Sequence, residues 1–280
     1  MANSDYLIAG NDEHGLEPLP TVGKRTPYIS LVGRSFYENE FNKEAKRYFL
    51  EACARQGFRT LDVKPGNQDL SLTARAQVVN VNKASLLVTF AYNAAAIDNA
   101  FTSANGVETF YSSLNPYPTQ SRNLAIKIQN RLVEGVKQSD RGVKSANFYM
   151  LRAVNCPSAL VEAGFMTNLR EAKLMMDPDF QRQVGEEACH GVCDYLKVGY
   201  KRAPALSYPT LKRGSKGDKV KYLQYKLLSK FYNPGEIDGA FGSKVDNAVR
   251  QFQKDNGLVV DGIVGKNTWN KLKIIGGGRS

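Results

Sequence analysis

The sequence predicts an α/β protein, with a mainly parallel sheet flanked by helices and then a small three-helix C-terminal domain. Three observations lead there. Over residues 1–199 short apolar runs alternate with stretches of helical period, the pattern of a layered α/β domain. In the stretch 200–210, Pro204 and Pro209 block helix continuation and favour extended backbone, which marks a linker. Beyond it, Asp238-Gly-Ala-Phe-Gly242 is echoed by Asp261-Gly-Ile-Val-Gly265, and each copy leads into a helical stretch. The expected division is therefore 1–199, a linker 200–210, a second domain 211–275, and a tail 276–280 whose Gly-Gly-Gly-Arg-Ser reads as an engineered spacer with a cloning junction.

The elements follow in order. Tyr6 to Ala9 reads as a short apolar strand. Glu38 to Gln56 reads as a helix, with Phe41, Ala45, Tyr48, Phe49 and Ala52 on one side and Gly57 placed to stop it. Phe58 to Val63 is a strand, Leu72 to Asn82 a helix, Ser85 to Phe90 a buried strand and Val107 to Tyr111 another. Ser121 to Val136 is a helix with Leu124, Ala125, Ile128 and Leu132 on one face. Phe148 to Arg152 and Ala159 to Glu162 read as short strands, and Pro178 to Gly199 as the closing helix. In the second domain, helices are expected at Lys219 to Lys230, Val245 to Lys254 and Asn267 to Leu272, with Phe241 and Val264 tucked inward between tight turns.

Composition narrows the function. A 42% hydrophobic and 23% charged share in 280 residues is globular, not disordered. No apolar run approaches the ~18–20 residues of a membrane span, so membrane insertion is not expected. Met1 to Asp5 lacks the basic and apolar regions of a secretory signal, so synthesis in the cytoplasm without a signal peptide is expected. Four cysteines do not make a disulfide scaffold. The net charge of +11 is uneven, since residues 211–280 hold 14 Lys and Arg against 6 Asp and Glu. That asymmetry points to an anionic partner for the second domain: nucleic acid, anionic lipid or an anionic cell wall. Lysines that merely solvate a small domain are the plain alternative.

Within the second domain, Leu211-Lys-Arg-Gly-Ser-Lys-Gly-Asp, Val220-Lys-Tyr-Leu-Gln, Ala248-Val-Arg-Gln-Phe-Gln and Thr268-Trp-Asn-Lys-Leu272 follow one another in order. This pattern resembles the peptidoglycan-binding domain of bacterial cell-wall hydrolases. The resemblance implies peptidoglycan as the partner and a groove near the repeated turns, with Asp238, Phe241, Asp261 and Trp269 close by. Asp238 and Asp261 have a second reading as residues that only shape the turns. Nucleic acid is not expected, because no groove of stacking aromatics and arginines is evident.

In a mainly parallel sheet, chemistry sits at the carboxyl ends of the strands. His14 follows the first strand, Glu38 opens the first long helix, Ala91-Tyr92-Asn93 follows the buried strand, and Glu162 ends the last strand. A His and a carboxylate on one edge suit Zn²⁺, and a second carboxylate suits proton transfer. Spacing alone leaves open a loop His and a helix-dipole Glu.

The order of motifs adds to this. Ile8-Ala-Gly-Asn-Asp-Glu-His14-Gly15, Gly23-Lys-Arg-Thr-Pro27, Glu38-Asn-Glu-Phe-Asn42, Leu72-Thr-Ala-Arg75, Gly106-Val-Glu-Thr-Phe-Tyr111, Arg141-Gly-Val-Lys144 and Leu160-Val-Glu162-Ala-Gly-Phe occur in register. Over about residues 5–198 the chain resembles the zinc-dependent N-acetylmuramoyl-L-alanine amidases. The resemblance implies His14 and Glu38 as zinc ligands and Glu162 as the catalytic glutamate. The family's third ligand is a His in a Ser-x-His-x-Asn-Ala corner, which here reads Val88-Thr-Phe-Ala91-Tyr-Asn93-Ala94, with Ala91 in the place of the His. Asn93 of that corner is kept and is a candidate for substrate contact. Zinc is accordingly expected to be weak or absent in this chain.

Two explanations stand for Ala91: natural loss, leaving a non-catalytic wall-binding adaptor, or a deliberate His→Ala change in an active parent, which the intact remainder of the motif set favours. Glu40 competes with Glu38 as ligand. It is expected to face solvent and pair with Lys43, because two residues on a helix point to different faces. His190 is expected inside the closing helix and far from this edge, and its flanking Cys189 and Cys193 are expected in a buried apolar role and not at a metal. An amidase followed by a wall-binding domain resembles phage endolysins, and implies action at the bacterial cell wall after release. A host autolysin and a phage-tail or injection-system cargo remain alternatives, and the oligomeric state is open.

Overall fold

Leu7–Asp12 (β1) lies second from one edge of a six-stranded sheet with order β2-β1-β3-β6-β4-β5 in the computed structural model, which describes residues 2–15, 24–95 and 100–273. The other strands are Arg59–Asp62 (β2), Leu86–Asn93 (β3), Val107–Tyr111 (β4), Asp140–Ser145 (β5) and Ser158–Phe165 (β6). β1 pairs in parallel with β2 and β3, and β3 in parallel with β6. β4 runs antiparallel to β6 and parallel to β5. β1, β3 and β6 thus bring their carboxyl ends to one edge.

Helices cover both faces. Glu38–Arg55 (α1), Pro118–Val136 (α3) and Pro178–Leu196 (α6) share one apolar cluster with the sheet, through Phe41, Phe49, Leu124, Ile128, Phe180 and Val184. Leu72–Val81 (α2) and Tyr149–Arg152 (α4) close the other face over Ala9, Val63 and Leu87. β3 is buried along nearly its whole length, as a central strand between two helix layers must be. Leu169–Met175 (α5) follows β6 and is capped by Asn168, whose Oδ1 accepts from the Arg170 and Glu171 amides at 3.0 and 3.2 Å.

Two local expectations are corrected, and two elements were not foreseen. Phe148 to Arg152 is not a strand: Tyr149–Arg152 is a helical turn that buries the adjacent residues Met150 and Leu151. A short apolar run has no decisive period. β5 and α5 carry no clear sequence signal either. β5 is an edge strand with half-buried and exposed residues throughout, so it lacks the apolar alternation by which strands are read. Glu40 does not turn to Lys43. Its carboxylate accepts from the Tyr37 amide at 2.8 Å and pairs with Arg34, closing the start of α1, while Lys43 donates to Asn67.

The C-terminal domain has Asp218–Ser229 (α7), Ser243–Asp255 (α8) and Lys266–Leu272 (α9) around Leu223, Leu227, Phe241, Val249, Phe252, Val264 and Trp269. Its repeat is built into the hydrogen bonding. Gln224 donates to Asp238 Oδ1 and accepts from the Gly239 amide at 2.8 and 2.9 Å. Gln253 does the same to Asp261 and Gly262, also at 2.8 and 2.9 Å. Gly239 and Gly262 sit at φ 78° and 72°, the left-handed region such turns need. The tail 276–280 lies outside the described residues, as does Gly23 of the predicted motif.

Candidate active site

The edge formed by β1, β3 and β6 opens into a cavity of about 310 Å³. His14, Glu38, Ala91, Asn93 and Glu162 all line it, together with Glu13, Lys24, Tyr149 and Met166 among others. Residues separated by up to 153 positions in sequence, from Glu13 to Met166, thus meet in one place.

His14 leaves β1 in the left-handed region at φ 59°, an uncommon place for a residue with a Cβ. Its backbone is held from three sides. Asn39 Nδ2 donates to the carbonyls of Glu13 and His14, both at 2.8 Å, and to Asp12 Oδ2 at 2.7 Å. Buried Arg75 donates to the Asp12 carbonyl at 2.5 Å and pairs with Asp69 at 2.6 Å. Gly15 passes so close to Asp69 that an added Cβ would lie 2.6 Å from it. Beneath the strand end, Asp12 pairs with Lys46 and Lys64 at 2.7 and 2.9 Å, all three buried. Burial pushes the His14 imidazole below its usual pKa, against the pull of Glu38, which favours the neutral form that binds metals.

Glu38 is buried at the first position of α1. Its Oε1 accepts from Asn42 Nδ2 at 2.9 Å and from the Tyr92 amide at 3.0 Å. Its Oε2 is buried without a hydrogen-bond partner and stands 3.6 Å from His14 Nε2. Two ligands with bonds of about 2.0–2.2 Å at a tetrahedral angle stand roughly 3.3–3.6 Å apart. The orphaned oxygen and the imidazole nitrogen therefore fit two corners of a zinc ion. The third corner expected from the motif is the methyl group of Ala91. Among the described residues no set of three His, Cys, Asp or Glu converges as a metal-binding group.

Ala91 on β3 is in register with Glu162 on β6, and Glu162 is in register with Glu108 on β4. Glu162 Oε2 is buried with no partner. Burial first, then the Glu38 and Glu13 carboxylates, push the Glu162 carboxyl well above the usual range. Glu13 is itself pushed up to about 7 by burial, with Arg75 opposing. In both, the surroundings disfavour the charged carboxylate. Asn93 donates to Glu108 Oε1 at 2.8 Å, and Arg141 and Lys144 pair with the other oxygen of Glu108. Asn93 is thereby fixed at the rim with its Nδ2 engaged.

The spacing argument missed the groups that hold this site. Asn39, Asn42 and Arg75 occur within the quoted motifs, but their partners are backbone carbonyls and carboxylates that sequence does not locate. His190 lies elsewhere, stacked on Tyr200 at 4.3 Å and 3.6 Å from Glu187, between the buried Cys189 and Cys193.

The binding-groove residues divide. Phe241 and Trp269 are core, each 2% exposed, and Trp269 donates to the Pro209 carbonyl at 2.8 Å. Phe241 is tucked inward as its turn predicts, and both rings are corrected as candidates for substrate contact, since rings needed to fill a small core are not free to meet a polymer. Asp238 and Asp261 are bound into their turns. A hollow of about 350 Å³ does lie beside the first turn, lined by Gln224, Asp238, Ala240 and Lys244 among others.

Comparison with known proteins identifies the families to which the two domains are similar. The family model for N-acetylmuramoyl-L-alanine amidase matches residues 23–194, and one for a peptidoglycan-binding domain matches 216–272. The chain is 28% identical over 208 residues to the endolysin of Bacillus phage SPP1, covering 74% of this chain and 73% of that protein. It is 29% identical over 167 residues to the N-acetylmuramoyl-L-alanine amidase LytC of Bacillus subtilis, covering 59% of this chain but only 32% of that one. Among solved structures, an N-acetylmuramoyl-L-alanine amidase from Clostridium difficile 630 superposes with a TM-score of 0.59 at 28% identity, over 69% of this chain and 97% of the other. With the amidase match spanning more than half of the chain, the protein belongs to the N-acetylmuramoyl-L-alanine amidase family and carries a C-terminal peptidoglycan-binding domain.

Proposed function

We propose that the fold and pocket are those of a zinc-dependent hydrolase that cleaves the amide between N-acetylmuramic acid and L-alanine of peptidoglycan, silenced in this chain by Ala91. The observation that carries the reading is the orphaned Glu38 Oε2 facing His14 Nε2 at 3.6 Å, with Ala91 and Glu162 in register beside them. His14 and Glu38 would hold zinc, and a His at 91 would complete the set. Bound zinc supplies a Lewis acid and brings the pKa of water near 7. Glu162 would take the proton of the attacking water and return it to the leaving stem-peptide nitrogen, a role supported by its place in register beside position 91 in the same pocket. Tyr92 and Asn42 keep Glu38 oriented, and Lys24 adds positive charge at the rim for the stem carboxylates. With two ligands in place of three, zinc is weak or absent here, and the chain binds wall without cutting it.

The intact remainder of the site supports a recent His→Ala replacement over long decay, since Glu38, Asn42, Asn93 and Glu162 are all kept. The endolysin likeness supports delivery to the wall by lysis of the producing cell. The variant Ala91→His tests the reading. It is expected to bind one zinc per chain tightly and to release stem peptides from purified wall, whereas the present chain does neither. A variant that stays metal-free by calorimetry would point instead to a natural wall-binding adaptor. In the Ala91→His background, Glu162→Gln is expected to keep zinc and lose about 10²–10⁴-fold in rate.

A further inference from the structure

The segment 24–37 joins the pocket to the C-terminal domain. It begins at Lys24, which lines the cavity, and runs directly into Glu38. Its two ends are clasped by Thr26 N–H to the Phe36 carbonyl at 2.8 Å and by Glu38 N–H to the Lys24 carbonyl at 3.0 Å. A turn between them is closed by Ile29 N–H to the Arg34 carbonyl at 3.1 Å.

The other side of this segment rests on the C-terminal domain. The Phe36 and Phe231 rings, both buried, lie 6.3 Å apart. Asn233 Nδ2 donates to the Val32 carbonyl at 3.1 Å. Leu228 and Phe231 pack in the apolar cluster of the catalytic domain with Ile29, Val32 and Phe36, not in the core of their own domain. The Lys173 ammonium sits 5.0 Å from the Phe231 ring centre. Phe231 stands at φ 62°, where a bulky side chain is an outlier. Such a conformation persists only when the surroundings over-determine it. One turn earlier, wholly buried Lys226 bonds both Asp177 oxygens at 2.7 and 2.8 Å and Asp179 at 2.9 Å. The second domain is therefore clamped to the first by an ion cluster and an apolar wedge.

We propose that the C-terminal domain is a positioning element of the catalytic pocket: Phe231, helped by Asn233, holds segment 24–37 and through it Lys24 and the start of the helix that carries Glu38. Phe231 is a positioning residue and touches no reacting group. Its placement does not depend on the proposed chemistry, so the test reads backbone protection and not activity.

In the full chain, Phe231→Ala is expected to speed amide hydrogen exchange at Thr26, Ile29 and Glu38 by at least tenfold and leave the amides of α3 unchanged. Phe231→Leu, which keeps apolar volume, is expected to restore most of the protection. Unchanged exchange in 24–38 would overturn the proposal. Acceleration spread equally over α3 would also overturn it, because that is general loosening. If Phe231→Ala does not fold, Asn233→Ala carries the same test, with an expected effect of about threefold at Ile29 and none in α3. Should Ala91→His prove inactive while these exchange patterns hold, the chemistry fails and the positioning stands.

Discussion

On the proposed reading, position 91 shows how much one side chain decides: beside Ala91, Glu38 Oε2 and Glu162 Oε2 are buried without hydrogen-bond partners. Lys226 shows the same logic in a structural role. Its ammonium is fully buried against Asp177 and Asp179. Removing one partner of a buried pair leaves an uncompensated charge, which costs about 3–5 kcal/mol. Lys226→Ala is expected to lose stability on that order in denaturant unfolding, whereas substitution of exposed Lys219 is expected to change little.

Nearby Lys230 gives a pH signature. Burial, with Lys226 adding to it, lowers its pKa from 10.5 to about 8, against Asp177 and Asp179. The unfolded chain then holds more protons than the folded one between about pH 8 and 10.5, so this group's contribution to stability rises with pH there and is flat below. Measured against Lys230→Met, the present chain is expected to gain relative stability between pH 8 and 10.5, by up to about 3 kcal/mol. A difference that does not vary with pH would contradict this.

At the scale of elements, the paired turns of the C-terminal domain are the clearest repeat. The sequence shows Asp-Gly twice; the structure adds the glutamine one helix earlier that clamps each. Gln253 serves the Asp261 carboxylate, the Gly262 amide and the Ile263 carbonyl at 2.8, 2.9 and 3.0 Å. Gln253→Ala is expected to cost about 1–3 kcal/mol, because buried partners are left unsatisfied. Gln224→Ala is expected to behave alike at the first turn, and thermal unfolding of the two variants checks the equivalence.

Long amphipathic elements such as α1, α3 and α6 were legible because their apolar faces repeat over four or more turns. β5, α4 and α5 were not. Each is seven residues or fewer, and in such short pieces tertiary packing outweighs local preference.

At the scale of the molecule, the linker 200–210 does not leave two independent bodies. Arg55 Nε and Gln56 Nε2 both donate to the Lys201 carbonyl at 3.0 Å, and α7 is fixed to α6 through Lys226. The C-terminal domain nonetheless has its own core of Leu223, Phe241, Phe252 and Trp269. The fragment 205–280 is therefore expected to pellet with insoluble wall by itself, less strongly as salt rises, since its excess of Lys and Arg acts through screened charge. Residues 1–203 alone are expected to pellet poorly, and recovery in the supernatant measures both.

The sequence by itself determined the α/β class, the two-part organisation and the identity of the pocket residues, because hydrophobic period, proline placement and ordered motifs are local properties of a chain. It also singled out position 91. Only the tertiary structure decided that Glu38 faces His14 through one free oxygen, that Arg75 and Asn39 hold the His14 loop, that Trp269 is core, and that Phe231 leaves its own domain to brace the other. Each of these is a contact between residues far apart in sequence, and such contacts follow from how strands register and helices pack. No local pattern of residues encodes them.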